Sequence, residues 1–327
     1  GDEVILSPWT MSACATSILH WGGIPVFCDI DEKTFNIDPK KIEKRITNKT
    51  KAVMAIDFFG QPCDVDEIKK ICKKKNIVFI CDSAQSIGAK YKNKYTSVDA
   101  DVGGYSLNFH KHINTGEGGI IITNQKKIAE KCQLIRNHAE SVIKPNIKRK
   151  ELVNMVGYNF RLTEIQAAIG SEQLKKLNSI VKKKIWSAKI LSDNLRHLPG
   201  LSIPYLSPNR THCYYSYPIK VNQNITGINR DKIWRELKKE GVPVNNKINC
   251  LHLLPIFQKK IAYGPYGFPW GKSKKNNQYK KGSLPVAENL SKNSILCIQM
   301  WAFDFKKKDL INITDKFKLV WKKLKII

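Results

Sequence analysis

The sequence has very little arginine for so cationic a chain. Its 327 residues include 8 arginines against 48 lysines, and the formal net charge is +28. Proteins that recognise phosphates and base edges usually cluster arginine with aromatic residues, whereas these lysines are spread almost evenly. The charge therefore indicates a biased composition with a solvated lysine surface, and we expect no nucleic-acid partner.

Paired cysteines and long apolar runs are also missing. The nine cysteines are scattered and none lies in a CxxC pattern, which predicts reduced thiols in a cytoplasmic protein with neither a disulfide framework nor a metal site. No apolar run approaches the length of a membrane span and no signal peptide is present, so we expect no membrane partner.

Short apolar runs alternate with helical patterns in the first half of the chain. The predicted strands are 3–6, 25–30, 52–56, 77–82 and 118–123. Between the third and fourth strands, the polar and apolar spacing predicts a helix that Asp64 caps, with Ile68, Ile71 and Cys72 facing inward. This alternation predicts an α/β fold in which helices cover both faces of a mostly parallel sheet, giving three layers.

A long helix is predicted to begin at a capping-box pattern formed by Thr163 and Gln166 and to continue to about Leu195. Helical spacing gives this segment an apolar stripe. The stripe consists of Ile165, Ile169, Leu174 and Leu177.

The second half of the chain predicts a smaller α+β unit. Its clearest elements are a strand at 214–221 and a helix at 231–241. We therefore divide the chain into a large domain over 1–180 and a linking helix with a small C-terminal domain over 181–327. The stretch 263–282 has no periodicity and is predicted to be a long functional loop.

Three fragments of the first half carry residues suited to pyridoxal phosphate. Asp82 ends a predicted strand, Gln85 follows three residues later, and Ser106 and Lys111 precede a glycine-rich turn. Lys111 has no other lysine within ten residues on either side. A lysine amine forms a Schiff base with the cofactor aldehyde, and a carboxylate keeps the pyridine nitrogen protonated. The set predicts a pyridoxal-phosphate site whose catalytic residue is Lys111.

The sequence resembles the DegT/DnrJ/EryC1/StrS sugar aminotransferases, which are fold type I pyridoxal-phosphate enzymes. The resemblance covers nearly the whole chain through the motifs GDEVI, GGIPVFCDID, FFGQPCDVDEI, DSAQSIGA, GEGG, GYNFRLTEIQAAIGSEQLKKL and LHLLP. It implies that Asp82 pairs with the pyridinium, Gln85 lies near the 3-hydroxyl, Ser106 binds the phosphate and Lys111 carries the cofactor. The large domain would then be the cofactor-binding domain.

The resemblance also implies a homodimer with shared active sites. Asn159 matches an asparagine that reaches the phosphate from the neighbouring subunit, and Arg161 lies beside it. Met11 stands where many relatives stack an aromatic ring on the cofactor. Relatives place a phosphate-binding loop before GDEVI, so we expect that an N-terminal segment is missing here.

The resemblance implies transfer of an amino group from L-glutamate to a keto or aldehyde sugar. An 8-keto octulosonate or a nucleotide-linked keto-hexose is the expected acceptor, and motifs such as NFHKHINTGEGG favour the octulosonate. Candidate substrate contacts at the entrance are His110, His112, Arg161, His252 and the loop around Trp270 and Tyr279. The two histidines beside Lys111 could instead only shape the turn.

Two alternatives remain open at this level. A pyridoxal-phosphate sugar dehydratase would share the fold, but that branch replaces the Schiff-base lysine with histidine, so Lys111 argues against it. A non-catalytic cationic binding protein on the same fold would explain the charge, but Asp82, Gln85, Ser106 and Lys111 are all present.

Overall fold

The computed structural model of the chain describes residues 1–139, 155–264, 266–271 and 279–327. Part of the predicted functional loop, at 265 and 272–278, lies outside the described residues.

Strands of the first half form the main sheet, in which the described residues supply six strands in the order β2-β1-β3-β4-β7-β8. β8 is antiparallel to β7 and the other neighbours are parallel, which confirms the mostly parallel sheet. β5 and β6 form a separate two-stranded sheet. The strands are β1 Glu3–Leu6, β2 Ile24–Phe27, β3 Thr50–Ile56, β4 Val78–Asp82, β5 Lys90–Tyr91, β6 Lys94–Tyr95, β7 Val102–Ser106 and β8 Gly119–Ile122.

The helices of this half alternate with the strands, which confirms the α/β class. They are α1 Ser12–His20, α2 Pro39–Ile42, α3 Val65–Lys75, α4 Lys126–Arg136 and α5 Glu164–Leu195. In α3, Ile68 and Cys72 are buried as predicted. The predicted cap is wrong, because the Asp64 side chain accepts no hydrogen bond from the helix and instead pairs with Arg210.

The capping box of α5 is present as predicted. Thr163 Oγ1 accepts from Gln166 N at 3.2 Å, and Gln166 Oε1 accepts from Thr163 N at 3.1 Å. The apolar stripe is only partly covered. Leu177 is buried, whereas Ile165 and Leu174 are 76% and 59% exposed in the single chain.

The second half forms the predicted α+β unit around an antiparallel sheet of order β11-β12-β10-β9. Its strands are β9 Leu201–Ser202, β10 Tyr217–Val221, β11 Val244–Asn245 and β12 Ile295–Ile298. Its helices are α6 Gln223–Thr226, α7 Arg230–Lys239, α8 Pro255–Lys259, α9 Pro285–Asn289 and α10 Lys307–Lys323.

The hydrophobic cores extend across residue 180. The helix α5 runs through that position, with Val181 in a cluster of the first half and Leu191 in the cluster of the antiparallel sheet. Phe257 and Ala287 pack with Trp9 of the first half. The boundary at 180 therefore stays a prediction. Within the described ranges, no helix combines the length and apolar character needed to cross a membrane.

The second core gives a stability prediction. Trp321 is fully buried and its Nε1 donates to Pro199 O at 3.0 Å, whereas Trp186 is 41% exposed. We expect Trp321→Ala to lower the free energy of unfolding by about 3–5 kcal/mol, because it leaves a cavity. The matched Trp186→Ala should cost no more than about 0.5 kcal/mol. Urea unfolding followed by circular dichroism measures both, and equal costs would contradict the assigned core.

Candidate active site

The parallel strands bring the predicted residues to one edge of the main sheet. Asp82 is the last residue of β4 and Ser106 the last residue of β7. Asp82 stands opposite Gly104 in the register of these strands. Gln85 lies in the turn after β4. Ligands of open parallel sheets bind at this edge, where the carboxyl ends of the strands meet.

Asp82 is held by two donors. Its Oδ1 accepts from Ala84 N at 2.9 Å, and its Oδ2 accepts from the Cys14 thiol of α1 at 2.9 Å. In the part of the chain that the structure describes, Asp82 forms no salt bridge. Burial, and then the charge of Asp82, raise the pKa of the Cys14 thiol well above its ordinary value. Cys14 is therefore a hydrogen-bond donor to Asp82 and is not a thiolate nucleophile.

Lys111 lies in the turn after β7, where its backbone N donates to Asn108 O at 2.9 Å. Its Nζ lies 4.8 Å from the centre of the Tyr215 ring. Burial lowers the pKa of Lys111, while the nearby Asp82 and Cys14 oppose that shift. Since only a neutral amine attacks an aldehyde, this environment suits Schiff-base formation.

The two histidines beside Lys111 differ in their contacts. Both line a cavity of about 330 Å³, which Lys111 also lines. His112 Nε2 donates to Cys213 O at 2.9 Å, and burial lowers its pKa to about 4. His112 is thus neutral at physiological pH and cannot pair as a cation with a sugar carboxylate. His110 packs against Trp301, with ring centres 4.4 Å apart, and remains a candidate substrate contact.

Among the described residues, neither the Gln85 amide nitrogen nor the Ser106 hydroxyl hydrogen has an acceptor. Gln85 Oε1 accepts from Phe59 N at 2.8 Å. This bond fixes the orientation of the amide and uses only its oxygen, so the NH₂ group can donate to a ligand. Ser106 Oγ accepts from Asn108 N at 3.2 Å, so its hydroxyl hydrogen can be donated elsewhere. Met11 precedes α1 and is 70% exposed, so its side chain is available to cover a bound ring.

Asn159 and Arg161 lie on an exposed segment before α5. Asn159 pairs with Asn137 in an isolated bridge, and Arg161 donates to the Asn137 side chain. The contacts described for Asn159 are with Asn137, at the end of α4, and with Arg161. Its part in phosphate binding from a neighbouring subunit stays a prediction.

The predicted entrance residues of the second half are wrong. His252 has no exposed surface, and its Nε2 bonds to Glu288 Oε1 at 3.0 Å. Trp270 and Tyr279 are also buried, and Tyr279 OH donates to Pro25 O at 2.7 Å. These side chains pack in the core. The aromatic residues of this segment were therefore a sign of core packing and not of a substrate entrance. Sequence reasoning missed Cys14 and Tyr215, because no local pattern distinguishes them.

The donor set fits pyridoxal phosphate. A half-buried amine with a lowered pKa can hold its aldehyde carbon, and a carboxylate without a salt bridge can hold its ring nitrogen. The free hydroxyl of Ser106 can donate to a phosphate oxygen. This combination on an α/β sheet defines a pyridoxal-phosphate enzyme of fold type I.

Comparison with known proteins narrows that class. The model of the DegT/DnrJ/EryC1/StrS aminotransferase family matches residues 1–305. GDP-perosamine synthase of Escherichia coli O157:H7 is 30% identical over 91% of this chain and 77% of its own length. UDP-4-amino-4,6-dideoxy-N-acetyl-beta-L-altrosamine transaminase of Helicobacter pylori is 32% identical over 90% and 76%. An aminotransferase structure from Psychrobacter cryohalolentis is 28% identical with a TM-score of 0.84 and covers 99% of this chain and 82% of that one.

The chain belongs to the DegT/DnrJ/EryC1/StrS aminotransferase family. It is a pyridoxal-phosphate-dependent sugar aminotransferase, as the sequence predicted. The alternatives of a sugar dehydratase and a non-catalytic binding protein are therefore wrong.

The buried histidines near Lys111 give a pH prediction. Burial lowers the pKa of His112 to about 4 and that of His212 to about 3. Below the ordinary histidine value of 6.5 the unfolded chain binds more protons than the folded one, so the free energy of unfolding decreases as the pH is lowered. Each histidine contributes a slope of about 1.4 kcal/mol per pH unit in that window.

In His112→Gln the amide can still donate to Cys213 O, but one titrating group is gone. We expect the loss of stability between neutral pH and about pH 5 to be smaller than in the wild type. Urea unfolding of the cofactor-free protein across this range measures it. An unchanged slope would mean that His112 does not titrate as its burial requires.

Proposed function

We propose that Lys111 carries the cofactor and that the enzyme transfers an amino group from L-glutamate to a nucleotide-linked keto-sugar. The observation that carries the first part is the place of the Lys111 amine: it lies 4.8 Å from the Tyr215 ring and near Asp82 at the ligand-binding edge of the sheet. No other residue of the predicted site has an amine.

Each residue of the proposed active site has a separate role in the transfer of the amino group. Pyridoxal phosphate, when bound, supplies an electrophilic carbon and an electron sink. Lys111 holds that carbon and, once released, takes and returns the proton at the substrate carbon. Asp82 holds the proton on the ring nitrogen, Gln85 donates to the 3-oxygen, and Ser106 donates to the phosphate.

The substrate proposal is supported by the names of the relatives. The names of both curated relatives carry a nucleoside diphosphate, GDP or UDP, on an amino sugar. A chain with 56 basic and 28 acidic residues attracts anions of either kind, so the charge does not separate a nucleotide-sugar from an octulosonate. We also place the protein in the cytoplasm, because its nine cysteines are free thiols and most are buried.

The function is tested by glutamate-dependent amination of a 4-keto nucleotide-hexose and an 8-oxo octulosonate offered in parallel. We expect turnover of the nucleotide sugar. In Lys111→Ala turnover should fall at least about 100-fold, because the proton-transferring amine is lost, and the visible absorbance of lysine-bound cofactor should disappear. Lys126→Ala, at a lysine whose side chain is 80% exposed, is the control and should match the wild type.

Turnover of the octulosonate alone would transfer the assignment to that sugar and leave the lysine assignment intact. Visible absorbance that persists unchanged in Lys111→Ala would refute Lys111 as the cofactor-bearing residue.

We propose further that the enzyme is a homodimer whose second copy covers the first half of α5. Apolar residues there and in the segment before it are exposed in the single chain, and Ile121 of β8 is 59% exposed. The exposed set comprises Val156, Phe160, Leu162, Ile165, Ile169 and Leu174. A contiguous apolar surface of this kind usually marks an interface. Asn159 lies on the same segment, so a second copy docked here would bring that amide toward its partner.

The dimer is tested with Ile165→Glu, which places a charge in the proposed interface. Analytical ultracentrifugation should show a dimer for the wild type and a shift toward monomer for the variant, because an unpaired buried charge destabilises the contact. Cofactor affinity should fall with it if Asn159 acts on the partner. Ile225→Glu changes an isoleucine of similar exposure, 61% against 76%, on α6 and should stay dimeric. A monomeric wild type would contradict the proposal.

A further inference from the structure

The turn that follows β3, residues 57–60, contacts the loop that carries Asp82 and Gln85 and the segment that carries Tyr215. It begins at Asp57, directly after the strand, and its Gly60 ends a short 3₁₀ turn. Asp57 N donates to Asp82 O at 3.0 Å, and Phe59 N donates to the side chain of Gln85 at 2.8 Å. Both residues that the cofactor needs from the loop after β4 therefore rest on this turn.

Asp57 itself is a fully buried carboxylate. Its Oδ2 accepts from the hydroxyls of Ser83 and Ser86, each at 2.7 Å, and its Oδ1 accepts from Cys63 N at 2.8 Å. Ser83 follows Asp82 and Ser86 follows Gln85. The carboxylate thus fixes the residue next to each of the two cofactor-binding side chains, while the backbone N of Asp57 holds the backbone carbonyl of Asp82.

The same turn supports the segment that lies over Lys111. Cys213 N donates to Gly60 O at 2.9 Å, and Tyr215 is the residue whose ring faces the Lys111 amine. Gly60 has φ +99, and a Cβ there would lie 2.9 Å from Tyr215 N and 3.0 Å from Gln85 O. Only glycine allows the two segments to approach the turn so closely.

A metal site is the competing explanation for this cluster. A carboxylate oxygen of Asp57 and the thiols of Cys63 and Cys81 lie within 4.8 Å of one another, and zinc accepts such ligands. Both oxygens of Asp57, however, already accept hydrogen bonds from Ser83, Ser86 and Cys63. The hydrogen bond with the neighbouring Cys81 thiol, together with burial, raises the pKa of Cys63 well above its ordinary value, which opposes the thiolate that zinc requires.

We propose that Asp57 is a positioning residue, whose carboxylate holds the 82–86 loop so that Asp82 and Gln85 present their side chains to the cofactor. It acts through Ser83 and Ser86 and touches neither cofactor nor substrate. A carboxylate suits this position because both of its oxygens accept hydrogen bonds, from Ser83, Ser86 and the backbone of Cys63, whereas an amide would have to turn a donor toward one of these groups. The inference rests on the roles proposed above for Lys111, Asp82 and Gln85.

The test compares Asp57→Asn with Asp29→Asn. Asp29 is a buried carboxylate after β2 that accepts from Val286 N and Ala287 N at 3.0 Å, and it makes no contact with the 82–86 loop in the described structure. Both variants should lower the unfolding temperature of the cofactor-free protein. Only Asp57→Asn should weaken cofactor binding, by about tenfold, and lower the pH midpoint of the visible absorbance of lysine-bound cofactor. When the Asp82 carboxylate is displaced, the lysine-bound cofactor loses a negative charge that favours its protonated form, so the pH midpoint falls.

Ser83→Ala and Ser86→Ala each remove one of the bonds, and should shift the midpoint in the same direction by less, even if Asp57→Asn does not fold. Equal cofactor affinity in Asp57→Asn and Asp29→Asn would overturn the positioning role, and so would unshifted midpoints in both serine variants. Stoichiometric zinc in the purified protein would overturn it in favour of a metal site. Absence of lysine-bound cofactor in the wild type would instead refute the assignment of Lys111.

Discussion

Parallel pairing of β3, β4 and β7 is the constraint on which the site depends. Because parallel neighbours end at the same edge, Asp57, Asp82 and Ser106 come together although the chain separates them by whole helices and loops. The backbone hydrogen bonds of the sheet determine where this edge lies. Gly104 of β7, which stands opposite Asp82, leaves open space there, since a Cβ at this position would meet nothing within 4 Å.

The electrostatics of the site follow from what surrounds that edge. Lys111 is the basic group of the site and is partly withdrawn from water, which favours the neutral amine. Asp82 keeps a thiol donor and a backbone donor but no salt bridge in the described structure, so its charge is available to a cationic ring nitrogen. A lysine partly withdrawn from water and a carboxylate without a salt bridge among the described residues complement the two ends of one small planar molecule.

The features that could be predicted from the sequence are those set by residues close together in the chain. The capping box of α5, the burial of Ile68 and the isolation of Lys111 follow from residues a few positions apart. The contact between Cys14 and Asp82 spans 68 positions and that between His112 and Cys213 spans 101, so no periodicity could reveal either. Asp64 failed as a cap because Arg210, far along the chain, competes for its carboxylate.

His252 illustrates the opposite error, in which a chemically capable residue was taken for a functional one although the fold buries it. The stripe on α5 shows a third limit. Its spacing predicted an apolar face, and the face exists, but spacing does not say whether the covering surface comes from the same chain or from another.

The helix α5 has a mechanical consequence. Its 32 residues span about 48 Å, and its middle packs with Ile87 and Leu107 of the first half while its end packs with Ile219 and Phe317 of the second. A single rigid rod embedded in two cores resists hinge motion between them, since rotation would require bending the rod. The two cores are therefore expected to behave as one frame when substrate binds and leaves.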